Sequence, residues 1–292
     1  MAYSLPTARL GHTGLTVSRL GYGAGHRRSM TDAQMEAQLN GVLDAGITFL
    51  DTANDYGNSE EMIGRYLGQR RDDFILATKC GCHPDGDHIW TRENLFRGLH
   101  ESLRRLRTDY VDVMQLHNPT VAECEAGQLV AALQEMQTQG KVRWIGVSTT
   151  LPHLPTFLDW DVFDVFQIPY SVLEREHEGW ISRVAEAGGG TIIRGSAALG
   201  APGVGLGDDE RWQQFETAGL DELVAIGESR TAFLLRFALT HPHTHTLIVG
   251  TTNPQHLQEN VEAVLAGPLA PDVYAEAKRR LDGVGVRPVT GV

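Results

Sequence analysis

The sequence predicts an α/β fold: a closed (β/α)8 barrel of parallel strands, preceded by an N-terminal β-hairpin and followed by extra C-terminal helices. Three observations lead there. Eight short stretches of apolar, β-branched residues alternate with stretches of helical periodicity, which is the signature of repeated βαβ units. The strands are apolar almost throughout, as strands buried on both faces are. The 292 residues contain no long linker or composition break, so one barrel domain spanning 1–292 accommodates all eight units. A doubly wound open sheet would ordinarily have fewer strands and a switch point.

Each element follows from local chemistry. Residues 9–18 read as a small hairpin turning around Gly11 to Gly14. The first barrel strand is expected at 19–22, and Thr31-Asp32 then caps a helix that runs to Ala45 and stops at Gly46. The strands at 47–50, 74–78, 111–116 and 142–147 alternate with helices at 59–68, 91–106 and 125–139. A Pro-rich short helix near 152–159, a strand at 162–168, a helix at 175–187 and a strand at 191–193 follow. After a Gly-rich loop come helices near 209–216 and 219–240, a strand at 246–249, and helices at 254–265 and 271–281.

A net charge of −12 argues against a general binder of nucleic acid or anionic membrane, since polyanions are repelled. The expected partner is a small molecule, acted on by a monomer or small homo-oligomer. Three cysteines do not describe a disulfide framework, so a reducing cytoplasm is expected. Cys80-Gly-Cys82-His83 lacks the second ligand pair of common zinc motifs, and no metal is expected. The start, Met1-Ala-Tyr-Ser-Leu-Pro6, has neither the basic segment nor the apolar run of a signal peptide. No apolar stretch approaches the roughly 20 residues that span a bilayer.

Chemistry concentrates at four strand ends. Asp51 follows the second strand, with Tyr56 five residues on; Lys79 follows the third strand and His117 the fourth. In a barrel these positions open onto one mouth, at the C-terminal ends of the strands. A lysine cation within about 4–6 Å of a tyrosine favours the tyrosinate and lowers its pKa from about 10. Asp51 would hold Lys79 charged and in place, Tyr56 would act as general acid toward a developing alkoxide, and a neutral His117 would orient the carbonyl oxygen.

The string Asp51-Thr-Ala-Asn-Asp-Tyr-Gly57, with Lys79 and His117, resembles the aldo-keto reductase superfamily, and the similarity runs from the hairpin to Asn260. The resemblance implies a TIM barrel that binds NADPH, with NADH as the alternative, and reduces aldehydes, ketones or sugars reversibly to alcohols. Its catalytic tetrad falls on Asp51, Tyr56, Lys79 and His117. Its nicotinamide carboxamide partners fall on Ser148, Thr149 (where the family has Asn) and Gln167. The pyrophosphate loop falls on Arg194, Gly195, Ser196 and Ala197, without the usual Pro-Leu. Gly250, Thr251 and Thr252, before a helix, suit a phosphate. Glu259 and Asn260 match residues around the adenine, and His256 stands where many members have an Arg for the 2′-phosphate. Gly23 and Ala24 permit close approach of backbone to cofactor.

Gly21-Tyr-Gly23-Ala-Gly25 also mimics a dinucleotide fingerprint, but His26 sits where its third glycine belongs. Tyr22, His26, Arg27 and Arg28 are expected above the first strand, as candidate substrate residues. Trp90 is a candidate pocket wall. His241, His243 and His245 precede the eighth strand, at the end away from the mouth. Two further readings of the chain are a redox-neutral isomerase or lyase that stores hydride transiently, and a nucleotide-sensing barrel subunit.

Overall fold

In the computed structural model, which describes residues 4–25, 30–83 and 87–289, eight parallel strands close into a barrel. The hairpin comes first: β1 (Thr7–Arg9) pairs antiparallel with β2 (Thr16–Ser18) across a 3-10 turn at Gly11–Thr13. The barrel strands are β3 (Leu20–Gly23), β4 (Phe49–Asp51), β5 (Ile75–Cys80), β6 (Val111–His117), β7 (Val142–Ser148), β8 (Val165–Pro169), β9 (Gly190–Arg194) and β10 (Thr246–Val249). They run round in chain order, and β10 pairs with β3 to close the ring.

The intervening helices are α1 (Asp32–Asp44), α2 (Ser59–Leu67), α3 (Arg92–Leu106), α4 (Val121–Ala126), α5 (Leu129–Thr138), α6 (Leu154–Asp159), α7 (Glu178–Glu186), α8 (Asp209–Thr217), α9 (Arg230–Thr240), α10 (Pro254–Leu265) and α11 (Pro271–Gly283). Their starts are chemically marked. Thr31 and Thr120 each form a reciprocal capping box, with Gln34 and Glu123 respectively. Thr91, Asp208, Ser229 and Asn253 each accept a backbone N–H from the first turn of their helix.

Two helices differ from the sequence expectation. The helix expected over 125–139 is divided into α4 and α5, because Gly127 lies against the Trp90 carbonyl and Gln128 turns left-handed at φ 50°. The helix expected over 219–240 is a 3-10 turn at Leu220–Leu223 followed, after Gly227 at φ 83°, by α9. No helix of the described residues is long and apolar enough to cross a membrane.

The main core lies between the ring of helices and the outer face of the barrel. A second core fills the inside: Phe49, Ala77, Val113, Val165 and Ile192 from the strands, with Leu10 and Val17 from the hairpin region pressing in below. The hairpin is held there by His12 N–H donating to the Gly188 carbonyl at 2.8 Å. Side chains two residues apart on a strand share a face. One step up from Phe49, Val113 and Val165 therefore come Asp51, Gln115 and Gln167, a polar layer on an apolar floor. The site is built on that layer.

Candidate active site

Asp51 is the hub of the polar layer. Its Oδ2 accepts from Lys79 Nζ at 2.5 Å, and its Oδ1 accepts from Gln115 Nε2 and Gln167 Nε2, each at 2.9 Å. Lys79 Nζ also donates to the Thr52 carbonyl at 2.9 Å and faces the Tyr56 ring 4.9 Å from its centroid. Burial works against the Lys79 charge, but Asp51 and Tyr56 outweigh it and hold the ammonium above its ordinary pKa.

Tyr56 departs from the sequence expectation in one respect. Lys79 does pull its hydroxyl toward the tyrosinate, but burial acts more strongly, so the pKa lies above that of an ordinary tyrosine. The phenol is therefore a fully protonated group beside a cation.

His117 meets Tyr56 edge to face, with ring centroids 5.8 Å apart. Burial, and then the nearby Lys79, His88 and Arg194, lower its pKa to about 3, so the ring is neutral at physiological pH. Its Nδ1 lies 3.0 Å from Cys82 Sγ and 3.7 Å from Asp55 Oδ1. Burial, with Asp55 next, pushes the Cys82 thiol up, so it stays protonated. Cys82 and His88 face each other across a small antiparallel bridge, 3.4 Å apart at Sγ and Nε2. Asn94, in the first turn of α3, clasps that loop by donating to the carbonyls of Gly81 and Ile89.

Beside the polar layer runs a cleft of about 590 Å³. Its inner end is lined by Gly23, Gly25, Asp51, Tyr56 and Gln167. Its length is lined by Arg194 to Ala197 and by Gly250 to Thr252, with His256, Glu259 and Asn260 at the start of α10. Of the eight buried side-chain nitrogen and oxygen atoms without a hydrogen-bond partner among the described residues, two belong to residues that line this cleft: Arg194 Nε, at the end of β9, and Ser196 Oγ, on the loop after it. A buried polar group left unpaired is costly. Two such donors on a cleft wall, facing a helix amino end, fit a long anionic ligand of the dinucleotide class.

Most sequence-predicted residues therefore converge, but not all occupy the positions expected of them. Tyr22 is fully buried and donates to the Thr251 carbonyl at 2.9 Å; it ties β3 to the β10 loop and does not face a substrate. Ala24 is buried, its N–H donating to the Asp51 carbonyl, while its neighbours Gly23 and Gly25 line the cleft. Ser148 donates to Asn118 Oδ1 at 3.0 Å, and Thr149 turns its hydroxyl toward the Thr150 carbonyl at 3.4 Å; both are buried, and neither lines the cleft. Gln167 spends its amide N–H groups on Asp51 and Gln115. Trp90 packs on Gly81 and stacks on His88, one layer behind His117. His26, Arg27 and Arg28 lie outside the described residues. His245 Nδ1 accepts from the Thr191 N–H at the start of β9, which places the histidine run at the closed end, as expected.

Sequence reasoning missed several residues. Gln115, Asp55, Cys82 and His88 all stand within the hydrogen-bonded surroundings of the tetrad. Ser229, Arg230 and Thr231 line the far end of the cleft, and Leu199, Val204 and Leu206 form its half-exposed apolar lip. A glutamine inside an apolar strand, two residues before His117, was the one legible signal among them.

The model of the aldo/keto reductase family matches residues 19–281. An uncharacterised oxidoreductase of Bacillus subtilis is 27% identical over 88% of this chain and 90% of its own length. L-galactose dehydrogenase of Arabidopsis thaliana is 28% identical, over 87% and 86%. Among solved structures, the holo form of an aldo-keto reductase from Bacillus halodurans superposes with a TM-score of 0.85 at 27% identity, covering 95% of this chain and 96% of that one. Barrel, cleft and family match agree: the chain belongs to the aldo/keto reductase family and is an NAD(P)H-dependent oxidoreductase.

Proposed function

We propose that this protein reduces the carbonyl group of a small aldehyde, ketone or sugar to the alcohol, with NADPH as reductant and Tyr56 as the proton donor. The observation that carries the reading is the convergence of Tyr56, Lys79 and Asp51 with a neutral His117 at the inner end of the cleft. A nicotinamide bound there would supply hydride to the carbonyl carbon. The chain's own residues do the rest. His117 donates a hydrogen bond that orients the carbonyl oxygen. Tyr56 gives its hydroxyl proton to that oxygen as negative charge develops. Lys79 stabilises the resulting tyrosinate, and Asp51 with Gln115 and Gln167 keeps Lys79 from moving away.

For the cofactor, Arg194 and Ser196 are assigned to the pyrophosphate and Glu259 and Asn260 to the adenine end. His256, in the first turn of α10, would meet a 2′-phosphate. The open mouth and the relative named L-galactose dehydrogenase support including sugars among the substrates. The test is consumption of NADPH and of NADH with a panel of aldehydes, ketones and aldoses, with products identified. Stoichiometric alcohol formation at a higher kcat/KM with NADPH supports the reading. Product without net consumption would replace it with a redox-neutral reaction, and a preference for NADH would overturn the assignment of His256.

A further inference from the structure

Beside the tetrad, four side chains converge that the reduction does not require as a group. Asp55 comes from the loop after β4, Cys82 and His88 from the loop after β5, and His117 from the end of β6. β4, β5 and β6 are adjacent in the barrel, so their mouths open side by side. Cys82 and His88 are cross-strand partners, which directs both side chains to one face of the loop. Asn94 fixes both arms of that loop through Gly81 and Ile89, and Arg97 reaches the Cys82 carbonyl at 3.4 Å.

We infer that Asp55, Cys82, His88 and His117 form a site for a single zinc-class divalent cation at the rim of the active mouth, with His117 binding through Nδ1. Zinc bonds of about 2.0–2.2 Å to nitrogen or oxygen and about 2.3 Å to sulfur give tetrahedral edges of about 3.3–3.6 Å. The structure gives 3.0 Å from Cys82 Sγ to His117 Nδ1, 3.4 Å from Cys82 Sγ to His88 Nε2 and 3.7 Å from His117 Nδ1 to Asp55 Oδ1. All four ligand atoms lie within 4.8 Å of one another. Bringing the most widely separated of these atoms, up to 4.8 Å apart, to such an edge takes a movement of about an ångström, which exposed Asp55 and His88 are free to make, while Cys82 and His117 open slightly.

The donor set is two imidazole nitrogens, one sulfur and one carboxylate oxygen, which suits zinc better than magnesium or calcium. On binding, the Cys82 thiol releases its proton to water and an S–metal bond forms. Thiolate and carboxylate then cancel the two positive charges. With Nδ1 committed to the metal, the His117 proton resides on Nε2. The cation thus fixes the ring and tautomer of a residue that touches the substrate in the proposed reaction. The short motif Cys80-Gly-Cys82-His83 is not the ligand set: Cys80 points instead toward the Gln115 carbonyl.

The experiment is titration of the chelator-treated full-length protein with Co2+, followed by Zn2+, under reducing conditions. One equivalent of Co2+ is expected to give the intense visible bands of four-coordinate cobalt with a thiolate-to-cobalt charge-transfer band, both bleached by one equivalent of Zn2+. Cys82→Ser should abolish the charge-transfer band, Cys80→Ala should retain it, and His88→Gln should weaken affinity at least about tenfold. His88 is exposed, so that variant decides the matter even if Cys82→Ser folds poorly. A weak six-coordinate spectrum, a band that survives Cys82→Ser, or unchanged affinity in His88→Gln would overturn the site. The readout is spectroscopic, so its failure leaves the reductase reading untouched.

Discussion

Lys79 Nζ and Asp51 Oδ2 stand 2.5 Å apart with side chains only 1% and 2% exposed, a fully buried ion pair at the inner end of the cleft. Taking two charges out of water is costly, and removing one partner strands the other. Lys79→Met and Asp51→Asn are each expected to lower unfolding stability by about 3–5 kcal/mol, and the double variant by less than the sum. Urea unfolding of the three variants measures this. Additive losses would show that the pair is not coupled.

Tyr56→Phe should leave nicotinamide affinity within about twofold while lowering kcat for reduction by about 10²–10⁴-fold. Single-turnover rates with saturating cofactor measure this. Near-wild-type turnover would remove Tyr56 as the acid.

The two directions of the reaction should differ in pH dependence. The Tyr56 pKa is raised by burial, so the acid form persists through neutral and mildly alkaline pH, and His117 stays neutral above about pH 4 because its pKa is about 3. Reduction should therefore be nearly flat from about pH 6 to 9, while alcohol oxidation, which needs the tyrosinate, climbs across that range. A bell-shaped reduction profile centred near neutrality would contradict both assignments.

The unpaired Arg194 and Ser196 predict a binding defect. Hydrogen bonds to charged groups contribute about 1.5–3 kcal/mol, so Arg194→Met should raise the cofactor Kd by about 10–100-fold, and Ser196→Ala by less. Fluorescence titration measures both. Unchanged affinity would move the anion elsewhere in the cleft.

Gly25 offers a steric probe. A Cβ at that position would lie 3.1 Å from Tyr56 Cε2, so Gly25→Val should displace the ring and reduce kcat more than it alters cofactor Kd. Equal effects on both would mean that residue 25 crowds the cofactor instead.

Acid stability should depend on a residue at the opposite end of the barrel. Burial lowers His241 from 6.5 to about 4. A depressed histidine is neutral in the folded state, so stability is complete above pH 6.5 and falls as the unfolded chain takes up a proton between 6.5 and 4. The loss from this residue is about 2 kcal/mol by pH 5. His241→Asn should flatten the decline in Tm between pH 7 and 5 by the corresponding amount; an unaltered slope would assign the decline to other groups.

Much of the fold and tetrad was legible because polar residues closing apolar strands are rare enough to stand out, as Asp51, Lys79 and His117 do. Residues recruited by register were not. Cys82 and His88 meet across an isolated antiparallel bridge, and nothing in their spacing announces that pairing. Gln115 stands out as a polar residue inside an apolar strand, but its partner Asp51 lies 64 residues away and only the barrel register brings the two together. Tyr22, the last residue of the expected first strand, points into the core and not above the strand, because its hydroxyl is drawn to the Thr251 carbonyl on the neighbouring loop, a long-range contact. The break at Gly127 reflects contact with Trp90, a long-range event invisible to periodicity.

The seating of the hairpin has a consequence for traffic. With Leu10 and Val17 packed beneath Phe49 and Val113, the barrel is plugged at the hairpin end and the cleft opens only at the other. In the proposed reaction, a proton given up by Tyr56 would be regained from the mouth side, where the product also leaves. Recharging of the acid and product departure would then share one doorway.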